Sequence, residues 1–530
     1  MSVMNLDVFL HRLQYDPDKV KPLDWETDWD DAPLPYKLYR GLPMFPLSRE
    51  VPATLEGRDT TGVPSLRDIG HFLYYVFGLA QLTQSVMERN TSEELGGVLQ
   101  MCRRFVPSGG GLYPSELYLY LKLGELPAGL YHYDVAHHRL ALLREGNYDE
   151  YLARSLGNRC DATGCFGAAF VSTVYWKNFY KYNNFAYRLQ GLDAGVLIGQ
   201  LLEVAKRFGF SSGVHFQFLD QAVNHLLGLS EQEESVYAVI PLSTEPAFRW
   251  MANGNEDEET IFASELCREL SPVRHDHYVR SQKIVDYPML LRMSEASRLD
   301  STQLFRQIQK DEQAISDQAL ALPLPPVDRL SYDLATVCRN RFSPETEFVL
   351  KPIGLSQLAA LLREATASFS YRNDLDGLQE RPEPRVCLYG CFYGVEDVPD
   401  GAYRYDGAAH ALQPVCVGDH RQRMQEGMSL HNINLFQVPL SFHVAGERSF
   451  FQSQLGKRGY RIQQMEAGML VHRLLLAAFA LGMGGRPLLG FDANNSDALY
   501  RTASRDETGL IFIPVGPYRQ RLRLAGSLSR

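Results

Sequence analysis

"YRLQGLDAG", residues 187–195, returns as "YRIQQMEAG" at residues 460–468, and the two stretches are 273 positions apart. Working outward from them, the same spacing recurs. "GLYHYDVAHHRL" begins at Gly129 and "GAYRYDGAAHAL" at Gly401, an offset of 272. Fourteen residues past each closing glycine stands another, Gly209 in "RFGF" and Gly482 in "ALGM". Pro241 in "AVIPLS" and Pro514 in "IFIPVG" restore the offset of 273. A register kept over more than a hundred residues means that the chain holds two copies of one fold.

The repeated blocks also suggest their structure. "LDAGVLIGQLLEVAKRFGF" and "MEAGMLVHRLLLAAFALGM" are helix-length and apolar around much of their circumference, the pattern of a helix buried on several sides. "SELYLYLKL" and "PRVCLYGCF" have strand character, as do "VYAVIPL" and "GLIFIPV". The expected fold class is α+β with one sheet per copy. Two such copies, each with a long apolar helix, suggest a fused homodimer. The expected division is a first domain over 1–243, a partly helical connector over 244–318 and a second domain over 319–530. Within the connector, "NEDEET" at 255–260 reads as a solvated loop and "STQLFRQIQKDEQAISDQAL" as a helix.

Composition excludes several classes. The 530 residues are 45% hydrophobic and 22% charged, as in ordinary globular proteins. A formal charge of -10 disfavours nucleic acid as a partner. The eight cysteines lack the paired spacing of a zinc site or a disulfide scaffold, so no metal is expected. The opening "MSVMNLDVFLHRLQYDPDKV" lacks a signal-peptide pattern, and "LLLAAFALGM" at 474–483 is too short to span a bilayer. A cytoplasmic protein without a membrane partner is expected.

The differences between the copies carry the functional signal. Leu66 to Gly129 is 63 positions and Leu355 to Gly401 is 46, so the first copy has 17 extra residues there. That interval holds "RRFVPSGGGLYPSE" at 103–116. Upstream the imbalance reverses: Pro46 to Leu66 is 20 positions and Pro323 to Leu355 is 32. The second copy's insertion contains "VCRNRFS", with Arg339 and Arg341. A PSGGG segment lets backbone N–H groups approach a flat or anionic ligand without intervening Cβ atoms. Arginines supply forked, permanently charged donors suited to phosphate. Each segment alone also fits a solvated turn.

Taken together, "RFVPSGGGLYPSELYLYL", "LPAGLYHYD", "KYNNFAYRLQGLDAG" and the second copy's "GKRGYRIQQMEAGMLVHRLLLAAFALGMG" resemble the SagB-type dehydrogenases of the FMN-dependent nitroreductase superfamily. The resemblance runs from about Tyr36 to "PVGPYR". It implies two tandem nitroreductase-like domains forming an intramolecular pseudo-dimer, with FMN as cofactor and one composite site retained per chain. Pro107, Ser108, Gly109 and Gly110 would line the isoalloxazine, with Arg104 beside them, and Glu466, Ala467 and Gly468 would match the family's "EAG" at the flavin edge. Arg339 and Arg341, then Arg519 and Arg521 in "YRQRLR", are the implied phosphate partners. The family's "RRSxR" reads here only as "RNR". Azoline-oxidising members carry a KYxxxxYR pattern, matched by Lys181, Tyr182, Tyr187 and Arg188, with Gln454 and Leu455 at the second copy's equivalent of the Lys–Tyr pair. Lys181 and Tyr182 are thereby the implied catalytic pair; read without the family, "YKYNNFAYR" also fits an aromatic–basic surface strand.

Three functions remain open at this level. The first is an FMN-dependent oxidation of thiazoline or oxazoline rings in a peptide or carrier-bound substrate, alongside a cyclodehydratase or assembly-line partner. No GxxxxGK[ST] motif is present to power ring formation itself. The second is a nicotinamide-dependent reductase of nitro, quinone or enone compounds; the third is a non-catalytic scaffold subunit. The fused pair could act as a monomer or as a homodimer.

Overall fold

A computed structural model describes the chain except for residues 1–3, 24, 58–61, 87–97, 253–258, 309–320, 368–370, 378–383, 521–524 and 528–530. The chain divides into two compact units. The glycine-loop unit comprises Asp24–Phe305, Arg372–Leu378 and Arg521–Arg530; the arginine unit comprises Met1–Leu23, Arg306–Tyr371 and Gln379–Gln520. Most of the expected connector helix over 301–320 and most of the acidic run over 255–260 lie outside the described residues.

Each unit is built on one largely antiparallel sheet, and the two sheets share a strand order. In the glycine-loop unit the order is Met44–Pro46, Arg139–Glu145, Gly129–Asp134, Ser115–Leu121, Gly167–Val174, Glu234–Ser243 and Ser211–Val214. In the arginine unit it is Leu322–Pro323, Ala411–Val417, Gly401–Asp406, Val386–Phe392, Leu440–Glu447, Glu507–Gly516 and Gly484–Gly485. The repeat seen in the sequence is therefore a repeat of topology, an α+β fold made twice.

Matching side chains hold matching hairpins. Tyr133 Oη lies 2.8 Å from His138 Nδ1, and Tyr405 Oη lies 2.8 Å from His410 Nδ1. Both histidines adopt positive φ, 50° and 49°, at the hairpin turn. The other ring nitrogen of each faces a carbonyl of the chain beside it, Ser48 or Pro325.

Against each sheet packs a long helix, Ala186–Arg207 in one unit and Arg458–Ala480 in the other. Nearly all their residues are buried, as the all-round apolar pattern requires. Each ends in the same cap. Gly209 and Gly482 take φ of 67° and 72°, while Phe210 N donates to Ala205 O and Met483 N to Ala478 O. This six-to-one bond around a left-handed residue satisfies carbonyls that the last turn leaves open. It explains why a glycine recurs fourteen residues after each repeat.

Three short segments lie in the unit formed mostly by the other copy's residues, among them Arg521–Arg530 in the glycine-loop unit. The N-terminal helix Leu6–Tyr15 belongs to the arginine unit, where Gln14 Nε2 donates to Gly509 O at 2.7 Å and Asp7 pairs with Lys457. Arg372–Asn373 adds a parallel strand to Ser211–Val214 in the glycine-loop unit. The Asp374 carboxylate then accepts from the backbone N–H groups of Phe216 and Gln217 at 2.8 and 3.0 Å.

Two stability measurements follow. A Cβ at Gly482 meets nothing within 4 Å, so Gly482→Ala isolates the left-handed backbone cost, about 1–2 kcal/mol. Its melting midpoint should fall without loss of fold. His443 is fully interior, 3.0 Å from Tyr500 Oη, and burial lowers its pKa to about 3. The unfolded chain takes up that proton near pH 6.5 and the folded chain does not, so stability present above that pH falls on acidification toward pH 3. Chemical unfolding across that range should show a smaller loss for His443→Gln than for the natural chain.

Candidate functional site

The glycine loop follows the strand Val98–Arg104 and ends before the strand Ser115–Leu121. Its base is fixed by Arg104, whose guanidinium carbon sits 3.8 Å from the Phe77 ring centroid and 4.8 Å from that of Tyr113. Arg104 Nη2 donates to Pro35 O at 2.5 Å, and its backbone N–H donates to Tyr113 Oη at 3.0 Å. The side chain is thus interior, a post beneath the loop. Above it Pro107, Ser108 and Gly109 are half-buried and Gly110 is exposed. Gly110 and Gly111 take φ of 65° and 71°, a conformation that other residues adopt only at a cost.

The structure brings Lys181 and Tyr182 to this loop. A Cβ built on Gly110 would lie 2.6 Å from Tyr182 Oη and 2.9 Å from Lys181 Nζ. Both side chains project from the helix Trp176–Tyr182, so "YKYNNFAYR" is helical here and not a surface strand. One turn earlier on that helix Lys177 is buried, ion-paired with Glu116, and donates to Tyr113 O at 3.3 Å. Glu116 also faces His132 Nε2 at 3.0 Å. Burial pushes the Glu116 carboxyl upward, but the Lys177 charge and the His132 bond outweigh it and hold the group well below the usual carboxylate range. Asn178 Oδ1 accepts from Gln190 Nε2 of the long helix at 2.8 Å, fixing the Lys–Tyr helix from a second side.

Lys181 Nζ stands 5.2 Å from the Trp29 ring centroid and 5.0 Å from that of Tyr182. Burial lowers its pKa, because an ammonium loses hydration there. Trp29 keeps 60% of its surface exposed, so its outer face is open beside Lys181.

Asp193 engages the loop from the long helix. Its Oδ2 accepts from Ser108 Oγ at 2.6 Å and its Oδ1 from Gly109 N at 3.1 Å. Burial pushes its pKa up to about 6 against the downward pull of those two bonds.

The arginine unit gathers other candidates. The helix Leu334–Asn340 starts at Asp333, whose carboxylate accepts from Thr336 N at 3.0 Å. Arg339 is exposed in the last turn of that helix, while Arg341 beyond it is buried, with Nη1 3.5 Å from Ser343 Oγ. Arg519 N donates to Glu347 O at 2.9 Å, and Phe348 bridges to Tyr518, so this segment and the chain near 517–519 run side by side. Arg521 lies outside the described residues. Glu466, Ala467 and Gly468 are buried in the long helix. The Glu466 carboxylate is already engaged, at 2.5 Å from Arg385 Nη2 and 2.8 Å from Tyr371 Oη.

Several participants escaped the sequence reading. Asp193 was within sight: it occupies the place of Glu466, 273 positions earlier, in the motif that reveals the repeat. Lys177 with Glu116 and Arg486 with Glu345 are pairs across 61 and 141 positions, with no local pattern to mark them. Trp29 has no counterpart signal at all.

Comparison with known proteins bears on both units. The family model described as Nitroreductase family matches residues 82–242. A crystal structure of a candidate nitroreductase from Anabaena variabilis superposes with a TM-score of 0.72 at 21% identity, covering 97% of this chain and 99% of that one. The architecture is a nitroreductase fold in tandem, and within it residues 82–242 match the nitroreductase family model. The trifolitoxin-processing protein TfxB of Rhizobium leguminosarum bv. trifolii is 29% identical over 145 residues, 25% of this chain and 37% of that protein. The match thus spans little more than a third of that relative's length. A chain of the Escherichia coli microcin synthetase McbBCD complex, with truncated pro-MccB17 bound, matches at 22% identity over 36% of this chain and 70% of that chain, with a TM-score of 0.28. Among the described residues no helix is long and apolar enough to cross a membrane.

The packing at Gly110 can be tested directly. Gly110→Ala should displace the Lys181 and Tyr182 tips while costing about 1–2 kcal/mol in backbone conformation. Acylation of Lys181 by an amine reagent, followed by mass spectrometry, should then run several-fold faster.

Proposed function

We propose that this chain is an FMN-dependent dehydrogenase that oxidises thiazoline or oxazoline rings of a peptide or carrier-bound substrate to thiazole or oxazole. The observation that carries the reading is the convergence of Lys181 and Tyr182 on the backbone of Gly110 in the Pro107–Gly110 loop. The relative named for toxin processing supports a peptide as the substrate class.

The residues present fit a flavin. The loop offers an accessible backbone with no side chain at residues 109–111, the surface on which a planar ring can lie. Arg339, Arg341 and Arg519 have the chemistry of phosphate partners. Because the glycine loop and the Lys–Tyr pair occur in one copy only, one flavin per chain is expected.

When bound, FMN supplies the hydride acceptor. Aromatising an azoline removes two hydrogens from adjacent ring atoms, one as hydride and one as a proton. The chain's part is to take the proton. Lys181, lowered by burial, can do so in its neutral form, with Tyr182 Oη next to it able to donate or accept a hydrogen bond. Trp29 and the Tyr182 ring limit where Nζ can point. An external two-electron acceptor such as dioxygen would be needed to complete the cycle.

Purified protein should be yellow, with about one FMN per chain. Lys181→Ala and Tyr182→Phe should each retain FMN and lose at least a hundredfold in azole formation, followed by mass spectrometry as a loss of two hydrogens per ring. The rate should rise with pH as Lys181 deprotonates, and that limb should vanish in Lys181→Ala. Full azole formation in both variants would remove the assignment. Rapid bleaching of the flavin by NADPH would point instead to a nitro, quinone or enone reductase, and a colourless protein to a scaffold.

A further inference from the structure

The repeat gives Asp193 and Glu466 the same place on the two long helices, yet their carboxylates do different things. Glu466 is neutralised by the Arg385 guanidinium and bonded by Tyr371. Asp193 is held by the glycine loop, through Ser108 Oγ and Gly109 N. The second copy lacks the loop, and Arg385, next to the strand Val386–Phe392, supplies the partner there.

The loop is closed on itself through the same contact. Ser108 Oγ donates to Asp193 and accepts from Tyr113 N at 2.9 Å, which ties the loop's beginning to its end. One helical turn before Asp193, Leu189 Cδ2 would stand 2.8 Å from a Cβ on Gly109. Leu189 and Asp193 therefore present one helix face, and the loop lies on it. Three consecutive glycines have many backbone alternatives, so without such a clamp the loop would sample them.

We propose that Asp193 is a positioning residue for the cofactor loop: its two hydrogen bonds hold residues 107–111 in the conformation that receives the isoalloxazine. The inference rests on FMN being the cofactor. Asp193 need not touch the flavin or the substrate; it acts through Ser108 and Gly109. The burial that raises its pKa shows that the carboxylate is kept there against a desolvation cost, consistent with a specific task.

The test uses the full chain with free FMN as the probe. Asp193→Asn keeps the shape but cannot accept from both Ser108 Oγ and Gly109 N as the carboxylate does. Hydrogen exchange of peptides covering 105–114, without flavin, should accelerate several-fold in Asp193→Asn while the strand Glu234–Ser243 keeps its protection. FMN affinity, read by quenching of flavin fluorescence, should weaken about tenfold. Ser108→Ala should move both readouts in the same direction. Unchanged loop exchange would overturn the clamp, and faster exchange with unchanged FMN affinity would overturn its role for the cofactor. Natural protein that binds no FMN sinks the functional reading and this role together; natural protein and Asp193→Asn that bind FMN equally sink Asp193 alone.

Discussion

The hydrogen bonds that the buried helix Ala186–Arg207 sends outward set the geometry of the glycine-loop unit. A helix enclosed on nearly all sides must find partners for every polar side chain it carries, or lose stability for each one left over. Gln190 reaches Asn178 on the Lys–Tyr helix, Asp193 reaches the loop, and Gln200 Nε2 reaches Tyr75 O at 2.6 Å. The three partners are three separate pieces of chain. Through them one rigid element positions the Lys181–Tyr182 pair, the glycine loop and the helix Leu66–Phe77 relative to one another.

That arrangement explains why the loop can be glycine-rich and still well placed. Glycine removes side chains from the surface offered to a ligand, at the price of backbone freedom. Lys181 and Tyr182 occupy the space beside Gly110, Leu189 the space beside Gly109, and Asp193 accepts from the N–H of the Ser108–Gly109 amide. Specificity of conformation comes from the surroundings and not from the loop's own residues. A side chain at either glycine would meet its neighbours.

The sequence made the duplicated topology readable because backbone constraints repeat with it. Gly209 and Gly482 must be glycine-like at a left-handed cap, and the Tyr–His hairpins recur because Tyr133 and Tyr405 bond their own turns. The proximity of Lys181, Tyr182 and the PSGGG loop was implied by family resemblance; neither spacing nor periodicity brings Gly110 and Lys181, 71 positions apart, together. What stayed hidden was non-local and chemically ordinary: Lys177 with Glu116, Arg385 with Glu466, and the strand at Arg372–Asn373 added to Ser211–Val214. An ion pair between a helix and a residue in or beside a strand, far apart in sequence, leaves no periodic trace, and a two-residue strand is too short to register one.

The fate of buried charge in the two copies bears on what the charge is for. Glu234 and Glu507 are equivalent, and each accepts from an equivalent tyrosine, Tyr118 at 2.9 Å and Tyr389 at 2.5 Å. The cation has changed, from Lys37 at 2.7 Å in one unit to Arg404 at 3.6 Å in the other, and the Ser172 hydroxyl that also donates to Glu234 is replaced by Ala445. A carboxylate–tyrosine–cation group thus survives in both copies, interior in one and half-buried in the other. The Glu116–Lys177–His132 group does not: by the same register its places hold Cys387, Phe450 and Arg404. Replacing a buried ion pair by less polar residues is tolerated, and often stabilising, where nothing depends on its geometry. Its persistence in the copy that carries Lys181 and Tyr182, and its loss in the copy that carries Gln454 and Leu455, fits a network maintained to hold the Lys–Tyr helix against the loop.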